Sequence, residues 1–501
     1  MKSISKFCFV ALLAPLLAPA QDLKEFEKKV SEFTLANGLH FIIIERHEAP
    51  VVSFNTYVKA GSLNDPAGQT GLAHMFEHMA FKGTPTIGSR NWPEEKKALD
   101  ELEDLYAKLE EERRKDLRAD RNKIESLEGR VKTASEKADL YVDPNAYPRI
   151  IEENGGVGMN AGTSLESTNY FYNFPANRIE LWFLLESQRF LHPVFREFYK
   201  ERDVVREERR MRVESNPQGK LMEALLGTAF IAHPYRVGPG GWASDIENLR
   251  LSEAEQFYKT YYVPGNITIG IAGDVTPAEA KRLADKYFSQ LPTRPLPPLV
   301  TTVEPKQEGP KRVQVQSPSQ PLMFLGYKRP DQYDKDDPVF DVISTILTSG
   351  RTGLLYKDMV RDKKLSVATV DAATFPGGKY PNLFLFLLVP AAGKTTEENE
   401  KEFYDVLDRF KSEKVDDVTL TRVKTKARAA VIRQLDNNSG LASLLTTIYV
   451  AYGDWRKLFT SLDDINKITA DDVQRVARQY FIPESRTVAL TVQPSRQGGA
   501  Q

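Results

Sequence analysis

The 501-residue sequence is short of cysteine, of histidine and of net charge, and each scarcity removes a class of protein. Its single cysteine, Cys8, supports no disulfide framework. Because Cys8 falls in the first twenty residues, it leaves a mature chain no thiol nucleophile, which excludes a cysteine protease. A formal net charge of -1, from 68 basic against 69 acidic side chains, gives no general attraction to nucleic acid or anionic lipid. Near the N-terminus, Phe7 to Leu17 is apolar but too short to span a bilayer. Lys2 and Lys6 precede that run and Ala18-Pro19-Ala20 follows it. Residues 1–20 are therefore expected to be a secretory signal, and the mature chain to be periplasmic or secreted without stable membrane insertion.

What remains is long enough for two hydrophobic cores, and its punctuation suggests where they divide. Apolar runs flank Ala36-Asn37-Gly38, a hairpin signal, and Val51 to Lys59 reads as a further strand. A helix is predicted from near Thr70, carrying Leu72, Met75, Met79 and Phe81. From Pro93 to about Leu140, Leu99, Leu102, Leu109, Ile124, Leu127 and Val131 recur at helical spacing among Glu, Lys and Arg. That stretch is expected to be a helical hairpin projecting from the domain, with a charged tip between Glu110 and Asp120. Six prolines crowd residues 292–310, the expected linker. On either side of it a helix runs into an aromatic-aromatic-aliphatic-Pro turn and a strand, at Tyr261-Tyr262-Val263-Pro264 and again at Tyr480-Phe481-Ile482-Pro483. The expected architecture is α/β (α+β): two homologous halves, 21–291 and 311–494, each a mainly antiparallel sheet packed with helices, plus the hairpin insertion and a tail, 495–501.

Chemistry concentrates in Gly71-Leu72-Ala73-His74-Met75-Phe76-Glu77-His78-Met79. Two histidines four apart lie on one helical face and can share a tetrahedral metal, while Glu77 beside them can take the proton of an activated water. The H-x-x-E-H order is that of the inverted zinc peptidases. A third ligand is needed, and the best donor is Glu208. Glu201, Val204, Val205 and Glu208 fall on one helical stripe, with Glu207 projecting outward. Carboxylates on a core stripe need a reason, which a metal supplies; without the histidines the same helix reads equally as a solvated surface element. The Gly238-Pro239-Gly240-Gly241 loop is not a phosphate loop, since Pro239 lacks an amide donor and no Lys-Ser or Lys-Thr follows. His192 and His233 have no partner at ligand spacing and read as structural.

The stretch from Gly61-Ser62 through His74 to His78, then Asn160-Ala161-Gly162-Thr163, then Glu201 to Glu208, resembles the pitrilysin and insulinase family of zinc peptidases. The resemblance implies one Zn2+ per chain held by His74, His78 and Glu208, with Glu77 as base and Glu201 as accessory acid. It implies substrate contacts from an edge strand at Asn160 and Ala161 and from Arg361 in the second half, and a peptide or unfolded polypeptide as substrate. Two departures stand out. His78 and Glu208 lie farther apart than is common in the family, the excess falling in the 93–140 stretch. The family's second half often pairs an Arg with a Tyr seven residues on, but here Arg361 is followed by Ala368. The missing Tyr implies a homologous partner subunit that supplies the Arg/Tyr pair. A non-catalytic subunit is the rival expectation, and an enzyme acting on a non-peptide ester or amide is a third.

Overall fold

A computed structural model describes residues 26–493, so the expected signal segment, Cys8 and the tail lie outside the described residues. Two mixed sheets carry the fold. The first has strands β1 (Val30–Thr34), β2 (His40–Glu45), β3 (Val51–Val58), β4 (Val157–Thr163), β5 (Thr168–Pro175) and β6 (Ile267–Gly273), in the order β1-β2-β6-β3-β5-β4. The second has β7 (Lys311–Gln316), β8 (Met323–Arg329), β9 (Ser366–Phe375), β10 (Asn382–Pro390) and β11 (Arg486–Val492), in the order β7-β11-β8-β10-β9. Each sheet has one parallel pair, β2 with β6 and β7 with β11, fourth and fifth in the order counted from the β4 or β9 edge, and is otherwise antiparallel. The two halves thus repeat one topology, as the matching helix-turn-strand segments led us to expect.

Six helices carry the site, form the insertion or join the halves: α1 (Leu72–Met79), α2 (Trp92–Arg113), α3 (Arg121–Asp139), α4 (Phe198–Arg209), α5 (Pro217–Ala229) and α6 (Asn438–Tyr452). β2, His-Phe-Ile-Ile-Ile-Glu, is buried on both faces because each is covered by a different layer. Phe41 and Ile43 point into the main core of the first half, while Ile42 and Ile44 pack against Leu441, Ala442 and Leu445 of α6, which comes from the second half. The exchange is reciprocal, since Leu221 and Leu225 of α5 pack on Phe324, Leu385 and Ala489 of the second sheet.

α2 and α3 form the expected hairpin, started by Asn91 and Asp120 as helix caps and sealed by Leu102, Leu105, Leu109, Leu127, Val131 and Ala134. Its tip is not uniformly solvated. Glu112 is buried, accepting from the Asp120 amide at 3.0 Å and pairing with Lys115 and Lys123 at 2.7 Å each. Nor does the hairpin stand clear of the domain, because α2 lies against α4 through large side chains.

Candidate active site

α1 starts two residues later than its apolar pattern suggested. Gly71 takes φ +91° at its N-cap, and the Asp65 carboxylate accepts from the Gly71 and Ala73 amides at 2.8 Å each. Thr70, left outside the helix, donates its hydroxyl to Asp245 at 2.7 Å and accepts from the Trp242 amide at 2.7 Å. These ties fix the direction of α1 and aim one face at α4.

On that face the side chains of His74 and His78 meet Glu208. Nε2 of His74 lies 3.6 Å from Glu208 Oε1 and Nε2 of His78 lies 3.5 Å from Oε2, and one donor atom from each residue lies within 4.8 Å of the others. His74 is buried, and burial first, then the neighbouring His78, brings its pKa down to about 4, so its ring is neutral as a metal donor must be. Behind His78, Nδ1 is 3.2 Å from Glu201 Oε2. Burial alone would raise the Glu201 carboxyl, but its hydrogen bonds with His78 and Lys82 outweigh that and bring it to about 2. A carboxylate behind a ligating imidazole fixes the ring and raises its basicity.

Glu77 faces the same space. Thr163 of β4 donates its hydroxyl to Glu77 Oε2 at 2.5 Å, and burial, opposed by that hydrogen bond, holds the Glu77 carboxyl above its ordinary value. All these groups line a cleft of about 800 Å³ together with Met159, Asn160, Ala161 and Gly162. β4 is the last strand of its sheet, paired only with β5, so one of its edges is unpartnered among the described residues.

The contacts of three groups at the cleft were not read from the sequence. Lys82 donates to Glu201 at 2.6 Å and to Glu197 at 2.9 Å; Arg212 pairs with Glu208 at 2.6 Å; Thr163 holds Glu77. Lys82 stands four residues after His78 and Arg212 four after Glu208, a helical spacing that could have found them. Two readings need correction. Val204 is exposed, so the supposed core stripe of α4 keeps only Val205 as its buried apolar member, because the Glu201 and Glu208 side opens on the cleft. Arg361 is not brought to the cleft: it forms a two-toothed pair with Asp362, at 2.6 and 2.8 Å, and lines a separate hollow of the second half. Glu207 turns outward and pairs with Arg210.

This geometry defines a two-half protein with a histidine-carboxylate metal-type site, and comparison with known proteins gives the class. The profile described as Insulinase (Peptidase family M16) matches residues 40–126 and 134–237, its gap falling within α3, and the Peptidase M16 inactive domain matches 248–427. The chain belongs to the insulinase family, peptidase family M16. It is 26% identical over 488 residues to the zinc protease PqqE of Helicobacter pylori, covering 96% of this chain and 97% of that one. The crystal structure of a protease from Helicobacter pylori superposes with TM-score 0.77 at 25% identity, covering 93% of this chain and 99% of that one. The periplasmic protease PqqL of Escherichia coli superposes at TM-score 0.69 and 16% identity, but 93% of this chain spans only 48% of that one. Among the described residues no helix is long and apolar enough to cross a membrane.

Proposed function

We propose that the chain is an exported zinc-dependent endopeptidase acting on peptides or unfolded polypeptides. The observation that carries the reading is the convergence of His74, His78 and Glu208 on one point of the cleft, with Glu77 beside them and an unpaired strand edge alongside. The donor set fits the ion: two imidazoles and one carboxylate are the ligand types zinc takes in catalytic sites, leaving a position open. Zinc held there supplies a Lewis acid that polarises the peptide carbonyl and acidifies water.

The chain's own residues do the rest. The edge of β4 at Asn160 and Ala161 takes the substrate as an added extended strand, whose main-chain hydrogen bonds give affinity without fixing sequence. Glu77 accepts the proton of the attacking water and hands it to the leaving amine. Burial, which raises its pKa, favours its holding the proton between the two acts, and the Thr163 hydroxyl bound to Oε2 leaves Oε1 for the transfer. Glu201 acts through His78, holding Nδ1 so that Nε2 faces the ion.

A homologous partner subunit completes the proposal. Arg361 is turned to Asp362 and Ala368 stands where the family's Tyr would fall, which supports a substrate-holding Arg/Tyr pair supplied by another chain. Full peptidase activity from the purified single chain would count against a required partner. The intact donor set argues against a purely structural subunit. Metal content and peptide cleavage test the catalytic reading on wild type, Glu77→Gln and Glu208→Gln. Glu77→Gln is expected to keep zinc and lose at least about a hundredfold in turnover. Glu208→Gln is expected to lose both zinc and turnover. A fully active Glu77→Gln enzyme would remove Glu77 from its role.

A further inference from the structure

The hairpin insertion reaches both helices that carry the metal donors, at two separate places. At its base Glu95 is fully buried and accepts from Arg196 Nε at 2.7 Å. Arg196, itself 1% exposed, gives its other N–H groups to the carbonyls of Lys82, Ile87 and Thr84, the last two at 2.9 and 2.8 Å. Those carbonyls belong to the segment by which the chain leaves α1. Gly88, at φ +89°, makes room for the guanidinium, since a Cβ there would stand 2.6 Å from Arg196 Nη1. The base of the insertion is thereby tied to the exit of the His74/His78 helix.

Farther along α2, the ring of Tyr106 stacks on Tyr199 of α4 with centroids 3.4 Å apart and planes inclined by 18°. The Arg202 guanidinium lies over both rings, and the Tyr199 hydroxyl donates to Glu103 at 2.7 Å. Tyr199 and Arg202 bracket Glu201 in sequence. Lys200 adds an ion pair to Asp139 of α3 at 2.6 Å. The N-terminal part of α4 thus meets the insertion through Tyr199, Lys200 and Arg202, whereas Asp203, Val204 and Glu207 are exposed.

We infer that the insertion is a brace between α1 and α4, and that Tyr106 and Glu103 are positioning residues for the metal. Resting on the zinc reading above, the inference gives the hairpin a role in place of a solvated appendage. Its physical basis is that one ion takes donors from two helices, so its affinity depends on how well their separation is fixed before it binds. α4 puts Phe198, Tyr199 and Val205 into the core, and of these Tyr199 is the one stacked on the insertion, while Val204 faces solvent. An aromatic stack with a guanidinium across it restrains distance and rotation together. Tyr106 and Glu103 touch neither ion nor substrate.

Zinc affinity of the full chain, measured by chelator competition, together with the melting point of the zinc-free protein, tests the inference. Tyr106→Ala should weaken zinc binding about tenfold or more, Tyr106→Phe should restore it, and Glu103→Gln should weaken it by about threefold. Lys137→Ala, which removes only the exposed pair with Glu101, should leave it unchanged. If Tyr106→Ala does not fold, Glu103→Gln carries the test. Wild-type zinc affinity in both Tyr106→Ala and Glu103→Gln would overturn the brace, whatever the melting points do. A wild-type chain that takes up no zinc would instead overturn the reading of the site itself.

Discussion

His74 and His233 are both brought down to about 4 by burial, yet only His74 sits among other donors. His233 accepts the Tyr235 amide on Nδ1 at 3.2 Å and packs edge-on to Tyr235 and tilted against Tyr380, at the seam between the halves. Its neutral form is the one the fold holds. An unfolded chain takes up a proton near the ordinary value of 6.5 and the folded chain only near 4, so this contribution to stability is full above pH 6.5 and is lost as pH falls through that window. Between pH 7 and pH 5 the loss from this one residue is about 2 kcal/mol. Denaturant midpoints at the two pH values should show it, and His233→Phe should have the shallower pH dependence; equal slopes would put the acid sensitivity elsewhere. The histidine pair of α1 was legible because helical period alone puts positions 74 and 78 on one face. The Thr163 hydroxyl on Glu77 was not, because it reaches its partner through the sheet rather than along the chain.

The direction of α1 depends on a loop that carries no catalytic group. Gly241, at φ +56°, packs so closely on the helix start that a Cβ would stand 2.5 Å from the Gly71 nitrogen and from the Thr70 carbonyl carbon and oxygen. All three are backbone atoms, which cannot turn aside as a flexible side chain would. Gly241→Ala should therefore destabilise the protein by more than about 2 kcal/mol, from the left-handed backbone and the overlap together. A melting curve reads the stability and a zinc titration reads the displacement of α1. An unchanged melting point would show that the loop yields. Elements of this kind were partly readable from sequence. The Asn37-Gly38 hairpin and the two insertion helices follow from local pattern, and Gly38 adopts φ +95° as such a turn requires. α1 starts at Leu72 rather than near Thr70 because the carboxylate that caps it comes from Asp65, a loop residue the pattern did not single out.

The exchange of α5 and α6 makes the two halves one mechanical body, and this was hidden in the sequence because an apolar stripe says that a helix is buried but not against which sheet. Leu441 and Leu445, each worth about 2 kcal/mol when fully buried, pack on Ile42, Ile44 and Ala272 of the other half's strands as well as on their own half's Trp455 and Leu458. Asn55 of β3 reinforces the seam by donating to the Thr446 hydroxyl at 2.7 Å. Gly270 of β6 lies directly beneath α6: a Cβ there would meet the Ala442 carbonyl oxygen at 2.5 Å and Thr446 Cγ2 at 2.7 Å. Gly270→Ala should therefore push α6 off the first sheet and cost about 1 to 3 kcal/mol. If the halves are one cooperative unit, amide exchange in β6 of the first sheet and β10 of the second should quicken together in this variant, at a common denaturant midpoint. Quickening confined to β6, with β10 as protected as in wild type, would show that the halves open independently.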